Sequence, residues 1–523
     1  MRTASLARTT RRLLAALPLL GVAGLAACGK DSPTAPTPVA TTVTAAGGDA
    51  QTVTANAAAT APLAVKVLDA NGNPITGAIV TWALTAGGGT ISATSSTTDA
   101  SGIAIVMYTA GLTSGTATIT ATVSSLTPVT FTETINTPVS PTTLVDYSQT
   151  GGNVATSFQA YTATAADASP VSVRGGGTLT LTAPVVTKTA GAASNPAASE
   201  AVGVNAGVLV AGISRVNILG GSVTTSAVGS TGLFATGIGS VLAMTTGTVA
   251  TSGNASRGVT ATFGGADSLT DAAVTTTGDT DAAGVAAGDS GAVVITRGSV
   301  TTAGAGSPAI FSTGAVVTTD AALTANGGAG AVVDGAGTVT LVNSTLTAKQ
   351  HGVELLGTGA VVVDGGTVVS GSDAFFVRGS VGTITLRGAV ATRPANGVLL
   401  DAQANGTATM TADGVLITGD LVADATSSAT ATLSHSALFR GALRHAALAM
   451  DSTTMWSVTG NSAATALTGA KVVTVDSTGA APQTITNIVG NGFTVTYDAS
   501  LPANAILAGK SYTLLNGGVL KPQ

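Results

Sequence analysis

The feature that most constrains this chain is a short phrase that returns roughly every 22 to 26 residues. Each copy has a glycine or small residue, a valine or leucine, and one or two threonines. The copies are centred on Val223, Val249, Val274, Val300, Leu323, Leu346, Val368 and Val390. A fixed period of this size is produced by one structural unit stacked on copies of itself. We therefore expect most of the chain to be a repeat architecture rather than an ordinary enzyme core.

Two further apolar phrases accompany the first within each period. One is a glycine or alanine followed by a large apolar residue, at Leu233, Val259, Val285, Ile310, Val353, Phe375 and Val398. The other is an alternating run at 241–244, 293–295, 338–341, 361–363, 383–386 and 407–410. Three short strands per period predict a parallel β-helix over residues 171–523, with inward Val, Ile and Leu and with Gly or Asn at the corners. About 15 rungs at roughly 4.8 Å each would make a rod about 70 Å long.

Composition supports an all-β fold and excludes several function classes. Charged residues make up 9% of the chain and aromatic residues 3%, while glycine alone contributes 68 residues. Such poverty of charge is unusual for long helices, coiled coils or nucleic-acid-binding surfaces. Removing the first 27 residues would take away four arginines and change the formal charge from −5 to −9. An acidic exported chain is not expected to bind nucleic acid.

The N-terminus has the pattern of an export signal. Four arginines precede an apolar run, from Leu13 to Ala27, that is too short to span a bilayer. The run ends in Leu25-Ala-Ala-Cys28, and Cys28 is the only cysteine of the chain. This sequence resembles the bacterial lipobox, which implies a signal peptide over 1–27 and lipidation of Cys28. Gly29 follows the cysteine, and by the same resemblance this favours the outer membrane.

Residues 28–42 read as a Pro/Thr-rich tether, and residues 43–137 as a β-sandwich of about seven short strands. Alternating apolar residues mark its strands, at Leu63, Val65, Val67, Val80, Trp82, Leu84, Ile103, Ile105, Met107, Ile119, Ala121 and Val123. The stretch 67–82 and the Thr98-Asp-Ala-Ser-Gly102 turn resemble the bacterial Ig-like domains of invasin and intimin type. That resemblance implies a spacer or a receptor-binding module, with Trp82 in the core. Residues 138–170 are predicted to be a linker or cap.

The repeats resemble right-handed parallel β-helices, both of the pectin-lyase-like enzymes and of the pertactin-like autotransporter passengers. A late phrase, Trp456-Ser-Val-Thr-Gly-Asn-Ser462, is similar to the final rungs of such passengers. The predicted fold class is therefore an all-β chain, in which an N-terminal Ig-like β-sandwich precedes a long right-handed parallel β-helix. Because β-helices serve many functions, this resemblance implies a fold and not an activity.

Three charged residues interrupt the nearly uncharged repeats at a regular interval. Arg378, Asp401 and Asp424 lie roughly 23 residues apart, and each follows an apolar triplet. We expect them to stack in one column on adjacent rungs. Such a column could hold a cation or a sugar. It could equally be an Arg–Asp ion pair with one additional solvated acid, since surface pairs of this kind are common and contribute little.

The remaining polar features indicate no cofactor or metal site. The histidines at 351, 435 and 445 lack ligand spacing, and the acidic run of Asp271, Asp279, Asp281 and Asp289 lacks the spacing of a calcium loop. Outward threonines are expected to form a ladder from the pairs 383/385, 407/409 and 430/432. Flat threonine arrays can bind ice, but threonine is also the usual outward residue of a β-helix.

The sequence favours a non-enzymatic surface lipoprotein that is anchored to the membrane through Cys28 and adheres to a partner or structures the envelope. Its partner would be a host, cell-surface or polysaccharide ligand. The alternative is a β-helix that binds or degrades polysaccharide, with Asp401 and Asp424 at its site.

Overall fold

The computed structural model describes residues 38–136, 143–279, 281–473 and 483–523. The predicted signal peptide, Cys28 and the tether up to residue 37 lie outside these residues. Strands form 56% of the chain and helices 3%, which confirms the all-β prediction. A β-sandwich precedes a parallel β-helix of about 15 rungs, where a rung is one complete turn of the β-helix.

The N-terminal sandwich contains ten strands. They are β1 Thr42–Gly47, β2 Thr52–Thr54, β3 Leu63–Leu68, β4 Ile79–Ala86, β5 Gly89–Ile91, β6 Ser95–Thr97, β7 Ile103–Val106, β8 Tyr108–Ala110, β9 Gly115–Thr122 and β10 Val129–Asn136. One sheet has the order β1-β3-β7 and the other the order β2-β10-β9-β4-β6, while β5 and β8 form a separate pair. Strands β2 and β10 pair in parallel.

Trp82 lies in the sandwich core, as predicted. It is 1% exposed, and its indole Nε1 donates a hydrogen bond to Ser96 Oγ at 2.9 Å. The prediction for the strand at 103–107 was wrong by one residue, because Ala104 and Val106 are buried whereas Ile105 is 53% exposed. Antiparallel pairing explains the inversion. Val65 faces Ala104 across the two strands, so burying the Leu63–Val65–Val67 face also buries Ala104 and Val106.

The β-helix begins before the predicted boundary at residue 171. Thr143–Val145 pairs in parallel with Ala160–Ala163, and Tyr147–Thr150 pairs with Val171–Arg174. Much of the predicted linker at 138–170 therefore belongs to the first rungs. Each strand pairs with the equivalent strand one rung later, and the strands form three faces that we name A, B and C.

Face A holds the valine–threonine phrase. Its strands are Thr143–Val145, Ala160–Ala163, Val185–Lys188, Ser222–Thr225, Ser299–Thr302, Ala322–Ala325, Thr345–Ala348, Leu416–Thr418, Leu438–Gly441, Met455–Val458, Thr484–Val489 and Tyr512–Leu515. Four bent strands run from face C into face A: Val241–Thr251, Ala266–Thr276, Ala360–Ser370 and Val381–Pro394.

Face B follows face A along the chain. Its strands are Tyr147–Thr150, Val171–Arg174, Val208–Ala211, Leu233–Thr236, Val259–Thr262, Val285–Ala287, Ile310–Ser312, Ala331–Val333, Val353–Leu355, Phe375–Arg378, Val398–Gln403, Asp420–Ala423, Thr494–Tyr497 and Val519–Pro522. Two strands continue from face B into face C: Leu443–Met450 and Ser462–Thr468.

Face C completes each rung. Its other strands are Asn153–Ser157, Thr178–Thr182, Arg215–Leu219, Ala292–Thr296, Ala315–Thr319, Thr338–Val342, Thr407–Asp413 and Ser428–Ser434. A short strand, Val472–Val473, pairs in antiparallel fashion with Thr484–Val489 near the C-terminus. The helices are an α-helix, Pro196–Val202, and a 3₁₀ helix, Pro502–Leu507. Neither is long and apolar enough to cross a membrane, and the described residues contain no other helix.

Every residue of the repeated phrase has a physical role. Its valine lies in an interior column that is at most 1% exposed, because parallel pairing places equivalent residues directly above one another. Its second threonine is also buried and donates a hydrogen bond to a carbonyl in the following corner. These bonds are Thr225–Ser230 at 2.7 Å, Thr251–Ser256 at 3.1 Å, Thr276–Ala282 at 2.8 Å and Thr302–Ser307 at 2.9 Å.

The glycine after the phrase is required by close approach between rungs. A Cβ atom at Gly278 would overlap the carbonyl oxygen of Gly253, and one at Gly304 would overlap the carbonyl oxygen of Gly278. No side chain can occupy this column without separating the rungs. The predicted glycine corners are confirmed here, whereas other corners hold non-glycine residues with positive φ, such as Thr246, Asp271 and Arg297.

One acidic side chain lies inside the β-helix. Asp267 is 1% exposed, and it takes a position that Leu242 occupies on the preceding rung and Val293 on the following one. Neither carboxyl oxygen has a hydrogen-bond partner. Burial raises the pKa of Asp267 well above its usual range, because an ionised carboxylate is disfavoured in an apolar interior.

Replacing the buried Thr276 by valine should destabilise the β-helix, since the Ala282 carbonyl would lose its hydrogen bond. We expect a loss of about 1–2 kcal/mol in the free energy of unfolding, measured by urea denaturation of the protein lacking residues 1–27. Thr275→Val is the matched control, because Thr275 is exposed on the same strand. Equal losses in the two variants would contradict a structural role for the buried hydroxyl.

Replacing Asp267 by leucine should stabilise the protein by about 1–3 kcal/mol at neutral pH, because it removes a buried polar group without partners. The raised folded-state pKa makes the wild type most stable below the pKa of an unfolded aspartate, about 3.9. Its stability then falls as pH rises toward the folded-state pKa. Unfolding free energies measured between pH 4 and 8 should show this decline in the wild type and a shallower one in Asp267→Leu. An unchanged slope would contradict the assignment.

Candidate functional site

Face B has one outward column that runs the length of the β-helix. Parallel pairing aligns its members rung by rung, about 4.8 Å apart. They are Ser172, Leu209, Phe234, Thr260, Ala286, Phe311, Val332, Glu354, Phe376, Asp401, Val422, Arg444, Ala463, Thr496 and Lys521. Large aromatic and charged side chains thus lie side by side on this face.

The first part of the column is covered. The helix Pro196–Val202 lies over it, and Thr262 Oγ1 donates a hydrogen bond of 2.7 Å to the carbonyl of Ala201 in that helix. Leu209 and Phe234 are consequently buried together. Arg257 closes the edge of this region, with its guanidinium 5.5 Å from the Phe311 ring. The later part of the column, from Val332 onward, includes more accessible side chains.

A ladder of polar residues flanks the column at the corner before face B. Asp373 occupies its centre and contacts both neighbours. His351 Nδ1 lies 2.8 Å from Asp373 Oδ2, and Asn396 Nδ2 donates a hydrogen bond of 2.6 Å to Asp373 Oδ1. The imidazole of His351 stacks on Phe376, with ring centroids 4.3 Å apart and planes inclined by 11°. The ladder therefore packs directly against the face B column.

Asp401 lies beside this ladder, in register with Phe376 on the preceding rung. Its Oδ2 accepts a hydrogen bond of 2.7 Å from Gln403 Nε2, whereas its Oδ1 is buried without a partner. Burial raises the pKa of Asp401, and the negative charge of Asp373 acts in the same direction. The hydrogen bond from Gln403 and the charge of His351 oppose this rise without cancelling it.

Asp373 has the opposite tendency. Burial favours its neutral form, but hydrogen bonds from His351 and Asn396 outweigh burial and lower its pKa. Burial likewise acts to lower the pKa of His351, yet Asp373, Glu354 and Asp401 outweigh it and leave that pKa raised. The cluster therefore holds an ionised carboxylate, a carboxyl that favours its proton, and an imidazole that favours its charged form. Carboxyl groups with divergent pKa values suit general acid and general base roles.

The predicted column of Arg378, Asp401 and Asp424 is not formed. Arg378 is in register with Gln403, so Asp401 lies two positions away from the predicted alignment. Asp424 is exposed at the end of the next rung, where it accepts hydrogen bonds from the backbone N–H groups of Ala404 at 2.7 Å and Thr426 at 2.9 Å. These bonds lower the pKa of Asp424 and give it a local role in the turn.

Unequal rung lengths cause this error. Between equivalent positions, 25 residues separate Phe375 from Leu400, and 21 separate Leu400 from Leu421. Their mean equals the assumed period, so the spacing concealed the shift. The predicted threonine ladder moves for the same reason: Thr383 and Thr385 are in register with Thr409 and Thr411 rather than with Thr407 and Thr409.

His351, Asp373 and Asn396 were not predicted as a site, although the sequence contains a signal for them. Each directly precedes the small residue of a face B phrase, at Gly352, Ala374 and Gly397. Aligning the residues before that phrase would have placed all three in one column. Among the described residues, no group of three or more His, Cys, Asp or Glu side chains is arranged to hold a metal ion.

The other charged residues considered from the sequence lie at exposed positions. Asp271 forms a bidentate pair with Arg297, at 2.9 and 2.8 Å, and both side chains are exposed at one corner. His435 contacts Asp413 at the same kind of corner. Arg444 Nη2 lies 2.8 Å from Asp420 Oδ2.

Comparison with known proteins identifies the N-terminal domain. Residues 41–136 match the family model of the bacterial Ig-like domain (group 1). No curated protein sequence matches the chain.

Among solved structures, a C-terminal 282-residue fragment of intimin, in complex with the intimin-binding domain of the translocated intimin receptor, is 27% identical. This match covers 18% of the present chain and 33% of the fragment, with a TM-score of 0.16. The Yersinia pseudotuberculosis adhesin InvE is 28% identical, over 18% of this chain and 26% of that one, with a TM-score of 0.14. Domains 4 and 5 of the S-layer protein SbsC are 21% identical, over 19% and 53%, with a TM-score of 0.15. The chain thus spans only about a quarter to a half of these structures.

Replacing Asp373 by asparagine should lower the pKa of His351, because burial of the imidazole remains while its nearest negative charge is removed. The pKa can be followed by NMR titration of the imidazole nitrogens, since the chain contains only three histidines. Asp413→Asn is the control, and it should lower the pKa of His435 while leaving that of His351 unchanged. An unaltered His351 pKa in Asp373→Asn would refute the described ladder.

Proposed function

We propose that this protein is an exported surface lipoprotein, anchored through Cys28, that has an adhesive or envelope-structural and non-enzymatic role. The observation that carries the proposal is the pairing of a bacterial Ig-like domain with a β-helix whose interior is filled by its own side chains. Such a rod is a rigid support, and its functional surface must be on the outside. The Pro/Thr-rich segment between Cys28 and the sandwich would hold both domains away from the lipid.

The distribution of side chains supports binding rather than catalysis along most of the rod. Outward positions on face C are largely small residues, threonine and valine, such as Thr340, Val362 and Thr385. Face B instead combines aromatic and charged groups, which provide more of the contacts that distinguish one partner from another. The partner would be a host, cell-surface or polysaccharide ligand that contacts face B.

Lipid anchoring is tested by replacing Cys28 with alanine and separately by treating cells with globomycin, which blocks lipoprotein signal cleavage. Because lipidation requires the Cys28 thiol, the variant should move from the outer-membrane fraction to the soluble exported fraction. Membrane fractionation with immunoblotting measures this change. Retention of Cys28→Ala in the outer membrane would contradict the anchoring proposal, and Thr42→Ala in the sandwich is a control that should not alter the fractionation.

A second candidate function, binding or degradation of polysaccharide, is favoured by the opposite pKa shifts of Asp373 and Asp401 beside His351. In this case Asp401 would act as the general acid and Asp373 as the general base.

Screening the purified protein lacking residues 1–27 against polysaccharides, for binding and for release of reducing ends, separates the two functions. If the second function is correct, Asp401→Asn and Asp373→Asn should each reduce turnover by about 10²-fold or more, whereas Asp424→Asn should leave it nearly unchanged. Turnover lost in Asp401→Asn would overturn the non-enzymatic proposal. Absence of turnover on all polysaccharides tested would favour it.

A further inference from the structure

A trough lies on face B at its C-terminal rungs, beyond the His351–Asp373–Asn396 ladder. Its volume is 800 Å³. Its floor is the outward column of Arg444, Ala463, Thr496 and Lys521, on successive rungs. The two middle members have small side chains, and the two end members are long cations. The trough is therefore deepest between two positive charges.

The cations are available to a ligand. Arg444 has a 63% exposed side chain, and Asp420 holds it through a single contact of 2.8 Å between Nη2 and Oδ2. A guanidinium has five N–H donors, so most of those of Arg444 remain free. Lys521 and His445 are also exposed along the trough. Asp420 is the one carboxylate side chain among the residues that line it, so the trough is cationic in a chain whose formal charge is −5.

The wall of the trough adds hydroxyl and amide groups. Thr459, Asn461 and Thr494 lie along it together with Thr496 on the floor. Asn461 is held in place because its Oδ1 accepts a hydrogen bond of 3.0 Å from the backbone N–H of Thr494. Side chains of this kind can hydrogen-bond the hydroxyl groups of a sugar. A trough with cations at both ends and polar groups between them suits a ligand that is both anionic and rich in hydroxyls.

We infer that this trough is a binding site for a linear anionic polysaccharide. Arg444 and Lys521 are three rungs apart, so about 14 Å separates their backbone positions along the rod. They would contact two anionic groups of one extended strand, and Ala463 and Thr496 would leave room for the sugar rings between those groups. The site is distinct from the His351, Asp373 and Asp401 cluster, and it does not depend on lipid anchoring or on catalysis.

A nucleic acid is also a linear anion, but it fits the trough less well. The residues that line the trough include no Phe, Tyr or Trp on which a base could stack. The net negative charge of the chain further disfavours a polyphosphate backbone. The hydroxyl and amide wall matches sugar rings better than bases.

Isothermal titration calorimetry of the purified protein lacking residues 1–27 tests the inference at low ionic strength. The probes are a hyaluronan oligosaccharide for carboxylate groups, dextran sulfate for sulfate groups, unmodified dextran as the neutral control, and single-stranded DNA. The variants are Arg444→Ala and Lys521→Ala. Their matched controls are Arg215→Ala and Lys349→Ala, which remove exposed cations elsewhere on the β-helix.

We expect one or both anionic glycans to bind, with the stronger of the two identifying the anionic group, and unmodified dextran to bind much more weakly. Arg444→Ala and Lys521→Ala should each weaken binding by about tenfold, because each removes one charged contact, and the two control variants by less than about twofold. Added salt should weaken binding of the wild type more than binding of Lys521→Ala.

The inference is overturned if neither anionic glycan binds, if dextran binds equally well, or if Lys521→Ala and Lys349→Ala behave alike. Tighter binding of DNA than of either glycan, lost in the same variants, would also overturn it and assign the trough to nucleic acid. Thermal unfolding of each variant shows whether its fold is retained. Arg444→Lys keeps a charge beside Asp420 and should recover part of the affinity even if Arg444→Ala is unstable.

Discussion

The structure depends on backbone hydrogen bonding between parallel strands that lie one rung apart. This pairing places every inward side chain directly above its equivalent in the preceding rung, about 4.8 Å away. Each interior position must therefore accept the same shape many times in succession. The valine column of face A, the buried threonines that bond to corner carbonyls, and the glycines that admit a neighbouring carbonyl are all consequences of this constraint.

Because the interior must repeat, variation is confined to outward positions and corners. Faces A and C use this freedom little, whereas face B combines aromatic, acidic and basic residues on successive rungs. An acidic cluster around Asp373 and Asp401 lies in the middle of that face, and a cationic trough from Arg444 to Lys521 lies toward its end. The rod thus positions different binding chemistries along one side of a repetitive support.

Sequence periodicity predicted the three faces and most of the interior, since each valine of the repeated phrase reports directly on burial. It failed where rungs differ in length, because the positions of Asp401 and Arg378 depend on residues added in one rung and removed in the next. The His351–Asp373–Asn396 ladder was missed because its members differ in chemistry and share only their place before a face B strand. Partners on different rungs become visible only when the register of every rung is known.

The central claim is that face B is the functional side of a structural rod, and site-specific blocking tests it most directly. In the protein lacking residues 1–28, which has no native cysteine, a single cysteine can replace Val422 on face B or Thr432 on face C of the same rung. Each is then coupled to a bulky maleimide polymer, and retention of the protein on an anionic-glycan surface is measured. The account predicts that coupling at 422 abolishes retention and coupling at 432 leaves it intact. Equal retention of the two coupled proteins would contradict it.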